Sequence, residues 1–489
     1  MKVGPMFEEL RTRALVVEAA RSRSLALGLG GILLVQILSG CMFGPERPDL
    51  ALSAPPAYRA IGGDVHAAVP ALDWWRGFRS PELTRFIEEG QTENLDIGAA
   101  IGRILQADAQ SKILGAPLLP TLDFAGTGAR LKPAAGIERG DYRFVLNAAY
   151  EMDFWGKNRA ASRAAEESTV VARFSKEVVV LSTIVSIGTA YLQILASQDH
   201  LRINRENLAA ASRILTLVKQ RAEQGTASAL DVAQQQSLVD QVRANIPLFD
   251  QTLRQNIAIL AALIGRAPED LTVRGGSLFR LGIPLVTPGL PSELLLQRPD
   301  IRADEANLAS AEASVEAARA AFFPTISLTA QGGYESTALR LVFTPQNALY
   351  NVAVNMAQPL FDGFRLEGQL ELAKGRQVEF LKTYCQTILN GFRDVEVALI
   401  GIVDGAERER LQQAVVNSSR LAFQLSETRL REGVTDLVVV TQTQQTLFTA
   451  EDNLVLARLA RLQAVLSLFQ ALGGGWLPPG VEAPGRLAQ

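Results

Sequence analysis

The sequence predicts a mixed membrane protein in which four β-strands per chain belong to a transmembrane β-barrel. That barrel is continuous with a long antiparallel α-helical coiled-coil barrel, and the whole unit is written twice along the chain. Three observations predict this. Matching motifs recur at an offset of 204 to 208 residues. Stretches of ten or more residues alternate between apolar and polar side chains, the pattern of a strand with lipid on one side and water on the other. Helical tracts of about sixty residues would span roughly 90–100 Å, too long for a compact core to cover.

The N-terminus stands apart from that unit. Residues 1–40 hold Arg11, Arg13, Arg21 and Arg23, then the apolar run LALGLGGILLVQIL. A basic segment followed by a short apolar one describes a secretory signal peptide, and the run falls short of the ~20 residues of a membrane span. LSGC, ending at Cys41, resembles the lipobox of bacterial lipoproteins, whose cysteine becomes the acylated first residue. Residues 41–73 are then a lipidated N-terminal extension. Met42 in place of Asp implies sorting to the outer membrane. The long basic segment leaves room for a translation start further in.

Composition narrows the chemistry. The only other cysteine is Cys385, so an acylated Cys41 leaves no disulfide within the chain; Cys385 reads as a small buried hydrophobe. The two histidines, His66 and His200, lie far apart in sequence and argue against a histidine metal site or a catalytic triad. There is no GxxxxGK[ST] loop to bind a nucleotide, and no cofactor is expected beyond the covalent lipid on Cys41. The formal net charge of −3 gives no reason to expect nucleic acid.

The first copy spans 74–265 and the second 293–476, joined by a Pro- and Gly-bearing linker, 266–292, and followed by a tail, 477–489. Asp96 to Pro120 matches Asp300 to Pro324 in spacing, and LPTLDF matches FPTISL. DFWGK around Trp155 matches LFDGF around Asp362, Gly225 matches Gly433, and Gly265 matches Gly473. Each copy reads helix, strand, strand, long helix, Gly interruption, long helix.

Strands are expected at about 119–131, 142–154, 324–335 and 349–360. In the second of these, Tyr142, Phe144, Leu146, Ala148, Tyr150, Met152 and Phe154 share one face, and Arg143, Asn147, Glu151 and Asp153 the other. In the fourth, Tyr350, Val352, Val354 and Met356 alternate with Asn351, Ala353, Asn355 and Ala357. The strands around Leu122 and Ile326 alternate less cleanly. Four strands cannot close a barrel, and an open edge cannot stand in lipid, so other chains must complete it. Two chains would supply eight strands and three would supply twelve.

The helical tract from Asn158 to Gln220 contains no proline, and apolar residues keep coiled-coil spacing beyond the glycine: Val239, Val242, Ile246, Phe249, Leu253, Leu260 and Leu263. Pro247 predicts a local kink. Gly225 and Gly433 supply the left-handed conformation that ends a helix. Thr226 or Ser228, and Thr435 or Asp436, are placed to cap the returning helix. Two hairpin tips result, at the end away from the strands.

Taken together, LSGC, WWRGF at Trp74, LPSELLLQRPDIRADE from Leu290, AAFFPTISL from Ala320, PLFDG at Pro359 and LGGGW ending at Trp476 resemble the TolC-like outer-membrane factors. The likeness is to the lipoprotein (NodT-type) branch serving multidrug efflux. It implies a homotrimer with a twelve-stranded barrel in outer-membrane lipid and a twelve-helix periplasmic tube. It also implies passive export of small molecules, powered by an inner-membrane pump acting through a periplasmic adaptor (membrane fusion) protein. On that likeness the adaptor docks at Gly225, Thr226, Ser228 and Asp231 of the first tip and at Gly433, Thr435 and Asp436 of the second. Family members often narrow the tube with Asp residues just beyond the second tip. Here LVVVTQTQ puts Val439 and Gln442 in that periplasmic constriction, which would then neither bind cations nor titrate. Alternative readings are a duct for type I-like protein or polysaccharide secretion, and a non-channel coiled-coil spacer lipoprotein.

Overall fold

The computed structural model describes residues 71–284 and 297–474, apart from 133 and 135, together with Pro55, Tyr58 and Trp476. The expected signal peptide, Cys41, His66 and the tail from 477 lie outside the described residues.

A 3-10 turn, Trp74–Phe78, leads into α1 (Pro81–Glu93) and α2 (Leu95–Gly115). Both helices start where side chains accept from free amides. Ser80 accepts from the Leu83 amide, and Asn94 accepts from those of Asp96 and Ile97. After α2 come β1 (Thr121–Leu131) and β2 (Arg139–Met152), then α3 (Lys157–Glu223) and α4 (Ala229–Leu263). The second copy supplies α5 (Pro299–Ala320), β3 (Thr325–Ser336), β4 (Ala348–Ala357), α6 (Arg365–Arg431) and α7 (Leu437–Ala471).

The repeat is metrically strict in its helical hairpins. α3 and α6 each have 67 residues, and α4 and α7 each have 35. At 1.5 Å per residue these are about 100 Å and about 50 Å long. Each hairpin is therefore asymmetric, and the returning helix covers only half of its partner. α4 lies along the tip-side half of α3, where Gln235 donates to the Ala211 carbonyl at 3.0 Å. α2 and α5 cover the strand-side half: Arg173 pairs with Asp108, and the Ser310 hydroxyl donates to the Ala164 carbonyl at 2.8 Å. α4 runs on through Pro247 as one helix; the ring removes the bond the Arg243 carbonyl would have received.

All four long helices end the same way. At Gly225, Gly265, Gly433 and Gly473 φ is +78°, +72°, +74° and +71°. At each, the glycine amide bonds the carbonyl three residues back, and the next amide bonds the carbonyl five back, as in Gly225 to Ala222 (3.0 Å) and Thr226 to Arg221 (2.8 Å). This is the Schellman motif, which needs a residue tolerant of positive φ. The starts are also alike. Asp153 accepts from the amides of Asn158 and Arg159 (3.1 and 2.9 Å), and Asp362 from those of Arg365 and Leu366 (3.1 and 3.2 Å). Each carboxylate sits at the positive end of a 67-residue helix just as the chain leaves a strand.

The main core lies midway along the hairpins, where Trp74, Phe78, Phe86, Ile187, Leu192, Leu260, Leu462 and Phe469 are buried together. Trp74 stacks on Phe469 with ring centroids 4.2 Å apart. A second cluster fills the tip-side end, with Ile214, Val218, Val239, Phe423, Val440 and Leu447. α3 and α7 contain windows apolar enough to cross a membrane by composition, but 56% and 61% of those windows is buried, so these are packed helices of the bundle.

The linker is more than a tether. From Arg266 to Pro284 it is strapped across the core, with Leu271, Leu278 and Leu281 buried in it. Glu82 accepts from the amides of Arg274 and Gly275, both at 3.0 Å, and Gln198 accepts from Gly276 at 2.9 Å. Buried Asp199 takes the Ser277 hydroxyl (3.0 Å) and the Leu278 amide (2.9 Å). Arg458 donates to the carbonyls of Leu278 (3.3 Å) and Leu281 (2.7 Å) and also binds Glu409 at 3.1 Å. Beneath the strap, burial and the charge of Glu82 push the Tyr191 hydroxyl up to about 12, against a lowering bond from Ser80. Residues 285–296 lie outside the described residues.

Cys385 departs from its expected place. It is half-buried on α6 rather than enclosed.

Candidate functional site

The four strands form one antiparallel sheet in the order β1-β2-β3-β4. Its register sorts side chains by face, since residues paired across strands point the same way. Leu122, Ala148, Ala330 and Val352 form one row, and Phe124, Leu146, Gly332 and Tyr350 the next. Continuing, Tyr150, Leu328 and Val354 align, as do Met152, Ile326 and Met356. This face is apolar over most of its length, with Arg130 and Ser336 on it only at the end away from the helices. Leu122, Phe124, Leu146, Tyr350, Val352, Val354 and Met356 are exposed on it.

The opposite face is polar. One row reads Asp123, Asn147, Gln331 and Asn351. Gln331 donates to Asn147 at 2.6 Å and accepts from Arg143, which also lies 3.7 Å from Glu335. Such a sheet separates an apolar medium from water. The weak alternation of β1 and β3 has a simple cause. Gly126, Gly128, Ala330 and Gly332 occupy apolar-face positions with little or no side chain. Among the described residues β1 and β4 each pair on one side only, leaving two open edges.

Helices attach at one end of the sheet, and the connections 132–138 and 337–347 lie at the other. At the helix end Trp155 stacks on Phe323 at 4.7 Å and donates to the Pro324 carbonyl at 2.7 Å, locking the two copies together. Phe154, Leu360, Phe361 and Phe364 are exposed there.

The tips are built as follows. Gly225 and Gly433 make the turns, and open space surrounds the position of a Cβ on either. Ser228, not Thr226, caps α4. Its hydroxyl accepts from the Asp231 amide at 3.1 Å, and Asp231 accepts from the Ser228 amide at 2.8 Å, a capping box. Thr226 instead donates to the Arg221 carbonyl at 3.1 Å, closing the end of α3. At the second tip Asp436 takes the cap position without a side-chain capping bond, and Thr435 is half-buried beside it. Val439 and Gln442 are exposed on α7. Gln442 borders a shallow groove of about 360 Å³ with Gln412, Val415, Gln445, Thr446 and Asn453, none of them charged.

Three tip contacts escape a sequence reading. Arg221 of α3 donates to the carbonyls of Leu430 and Arg431 at the end of α6. Deeper in, Gln235 and Gln444 are fully buried and bonded to each other at 3.3 Å, with Thr441 donating to Gln235 at 3.3 Å. The available signal was a Gln three residues before a core Leu in each copy, Leu238 and Leu447. Among the described residues no group of His, Cys, Asp or Glu is arranged to hold a metal.

Residues 86–266 and 290–474 match the family model described as outer membrane efflux protein. The pyoverdine export outer membrane protein OpmQ of Pseudomonas aeruginosa is 39% identical over 454 residues, covering 90% of this chain and 95% of that protein. The toluene efflux pump outer membrane protein TtgF of Pseudomonas putida is 32% identical over 465 residues, covering 91% and 96%. Among solved structures, the outer-membrane channel OprN superposes with a TM-score of 0.83 at 24% identity, covering 89% of this chain and all of that one.

Proposed function

We propose a mechanism from one premise: this chain belongs to the outer membrane efflux protein family. It is the outer-membrane channel of a tripartite efflux system, and its fold is that of trimeric channels with a helical barrel and a four-stranded sheet per chain. Three chains join β4 of one to β1 of the next, giving twelve strands and leaving no unpaired edge in lipid. The apolar face then meets the bilayer, and the row Asp123, Asn147, Gln331, Asn351 meets water.

The channel supplies no energy. Cargo moves down a path opened by a periplasmic adaptor that docks at the two tips and is driven by an inner-membrane pump. The observation that supports docking is the build of the tips: Gly225 and Gly433 lie in open space, and Thr226, Ser228, Asp231, Thr435 and Asp436 surround two short turns. Val439 and Gln442 face the tube axis beyond the second tip. That stretch offers amide and apolar groups, so neither divalent cations nor mild acid would block it.

Relatives 39% and 32% identical to this chain are named for cargoes as unlike as pyoverdine and toluene. The water-facing sheet carries scattered amides, hydroxyls and a few charges, which supports a duct that leaves selection to the pump. Small molecules are the cargo class. Cys41 carries the N-terminal lipid and adds a second anchor to the barrel.

Photo-crosslinkers at Ser228 and Thr435 in intact cells test this. Capture of a periplasmic adaptor at both positions is the expected result. A trimeric, expressed channel with no partner at either tip would overturn the docking assignment.

A further inference from the structure

The β3–β4 connection, residues 337–347, is internally bonded yet turns its large apolar side chains outward. The Leu341 carbonyl accepts from the Thr344 amide (3.1 Å), the Thr344 hydroxyl (2.7 Å) and the Asn347 side chain (2.7 Å). Val342 is fully buried, whereas Leu339, Leu341 and Phe343 are 56%, 43% and 67% exposed. A water-facing loop gains little by ordering itself this way, because about half the apolar surface of these three side chains stays unburied.

Phe343 fixes where the loop lies. Its ring sits 5.4 Å from Phe144 and 5.7 Å from Tyr334. Those two are cross-strand partners on the apolar face. The loop therefore extends the bilayer-facing surface of the sheet. From Met152 to Tyr142 that surface covers about 25 Å, at ~3.3 Å per residue and a tilt near 40°, which is the height of an outer-membrane apolar band. Tyr142, Phe144, Tyr334 and Phe343 then form the outer aromatic girdle. Arg340, between the two exposed leucines, stands at headgroup depth. It is exposed and has no acidic partner among the described residues. The nearby carboxylates of Asp141 and Glu335 occupy register positions on the water side.

We propose that this loop docks outer-leaflet lipid, with Leu339, Leu341 and Phe343 entering the acyl boundary and Arg340 binding the phosphate of a headgroup that carries net negative charge. This rests on the sheet being the membrane barrel, and the test separates the two. Phe343→Trp and, as a second site, Leu339→Trp are reconstituted as full-length trimers in phosphatidylcholine vesicles brominated at defined depths. Emission is read as the difference from the parent protein and its four tryptophans. Both added indoles should be quenched best by bromines high on the acyl chain and little by aqueous acrylamide. In mixed vesicles, Arg340→Gln should lower retention of phosphatidylglycerol relative to phosphatidylcholine about fivefold.

Val352→Trp is the reference for the barrel and should be quenched by deep bromines. If Val352→Trp is quenched and the loop indoles respond only to acrylamide, the loop stands in water and the proposal fails. If the loop indoles respond to neither quencher, another copy of the chain covers them, and it fails equally. Unchanged lipid retention in Arg340→Gln removes the headgroup contact. An unquenched Val352→Trp overturns the barrel reading itself.

Discussion

The Arg221 guanidinium, on the last turn of α3, donates to the main-chain carbonyl of Leu430 on the last turn of α6. That carbonyl already accepts from the Gly433 amide at 3.0 Å, within the turn of the second tip. A side chain of one hairpin thus helps close the helix end of the other, where the helix dipole favours a cation. Arg221→Ala should speed hydrogen exchange at Gly433 and Val434 about fivefold, for a loss of about 1 kcal/mol at this partly exposed site. Global thermal stability should barely move. Exchange unchanged at both amides would show that the tips close independently.

Equivalent glycines should not be equivalent to mutation. A Cβ at Gly225 or Gly433 meets nothing, so Ala there costs only the left-handed strain, about 1–2 kcal/mol. At Gly265 a Cβ would fall 2.5 Å from the Glu93 carbonyl oxygen, and at Gly473 it would collide with that of Gln297. Gly265→Ala and Gly473→Ala should sharply reduce the yield of trimer on a semi-native gel, while Gly225→Ala and Gly433→Ala assemble. Gly433→Pro should also assemble but abolish drug resistance in a sensitised host.

The buried Gln235–Gln444 pair predicts non-additivity. Gln235→Leu alone strands polar groups of Gln444 and Thr441 inside an apolar layer and should cost about 1–3 kcal/mol. Gln235→Leu with Gln444→Leu removes both partners and should recover most of the loss. Trimer dissociation temperature across the four variants measures the coupling; simple additivity would rule out a shared network.

Tyr191 sets an alkaline limit. Its folded-state value, about 12, lies above the ordinary 10.0. The folded state therefore holds this proton longer than the unfolded chain does. Its stabilising share is intact below pH 10 and is lost as pH rises toward 12. Spectrophotometric titration at 295 nm should show a late tyrosinate component that is lost in Tyr191→Phe, while that of Tyr384, also raised by burial, persists.

Cys41→Ser should abolish labelling by radioactive palmitate while leaving trimers in the outer membrane, because the barrel is itself an anchor. Labelling retained in that variant would refute acylation at Cys41.

Much of this architecture is legible in local patterns, because each pattern answers a local constraint. Alternation in β2 and β4 reflects the two-residue period of a strand between lipid and water. The glycines at 225 and 433 reflect the steric cost of a left-handed residue, which no side-chain contact can remove. The offset repeat relates the two copies through the sequence alone. Tertiary structure alone decided the rest. The apolar faces of β1 and β3 emerge only from register, since Gly126, Gly128, Ala330 and Gly332 carry too little side chain to show a preference. The 35-residue length of α4 and α7 reflects which half of the long helix is already covered by α2 or α5. The linker strap, Arg221 on Leu430 and Gln235 on Gln444 join residues between 78 and 209 positions apart. Hydropathy along a chain reports how much a residue avoids water, not which distant carbonyl it will meet, and so these contacts could be found only in the folded molecule.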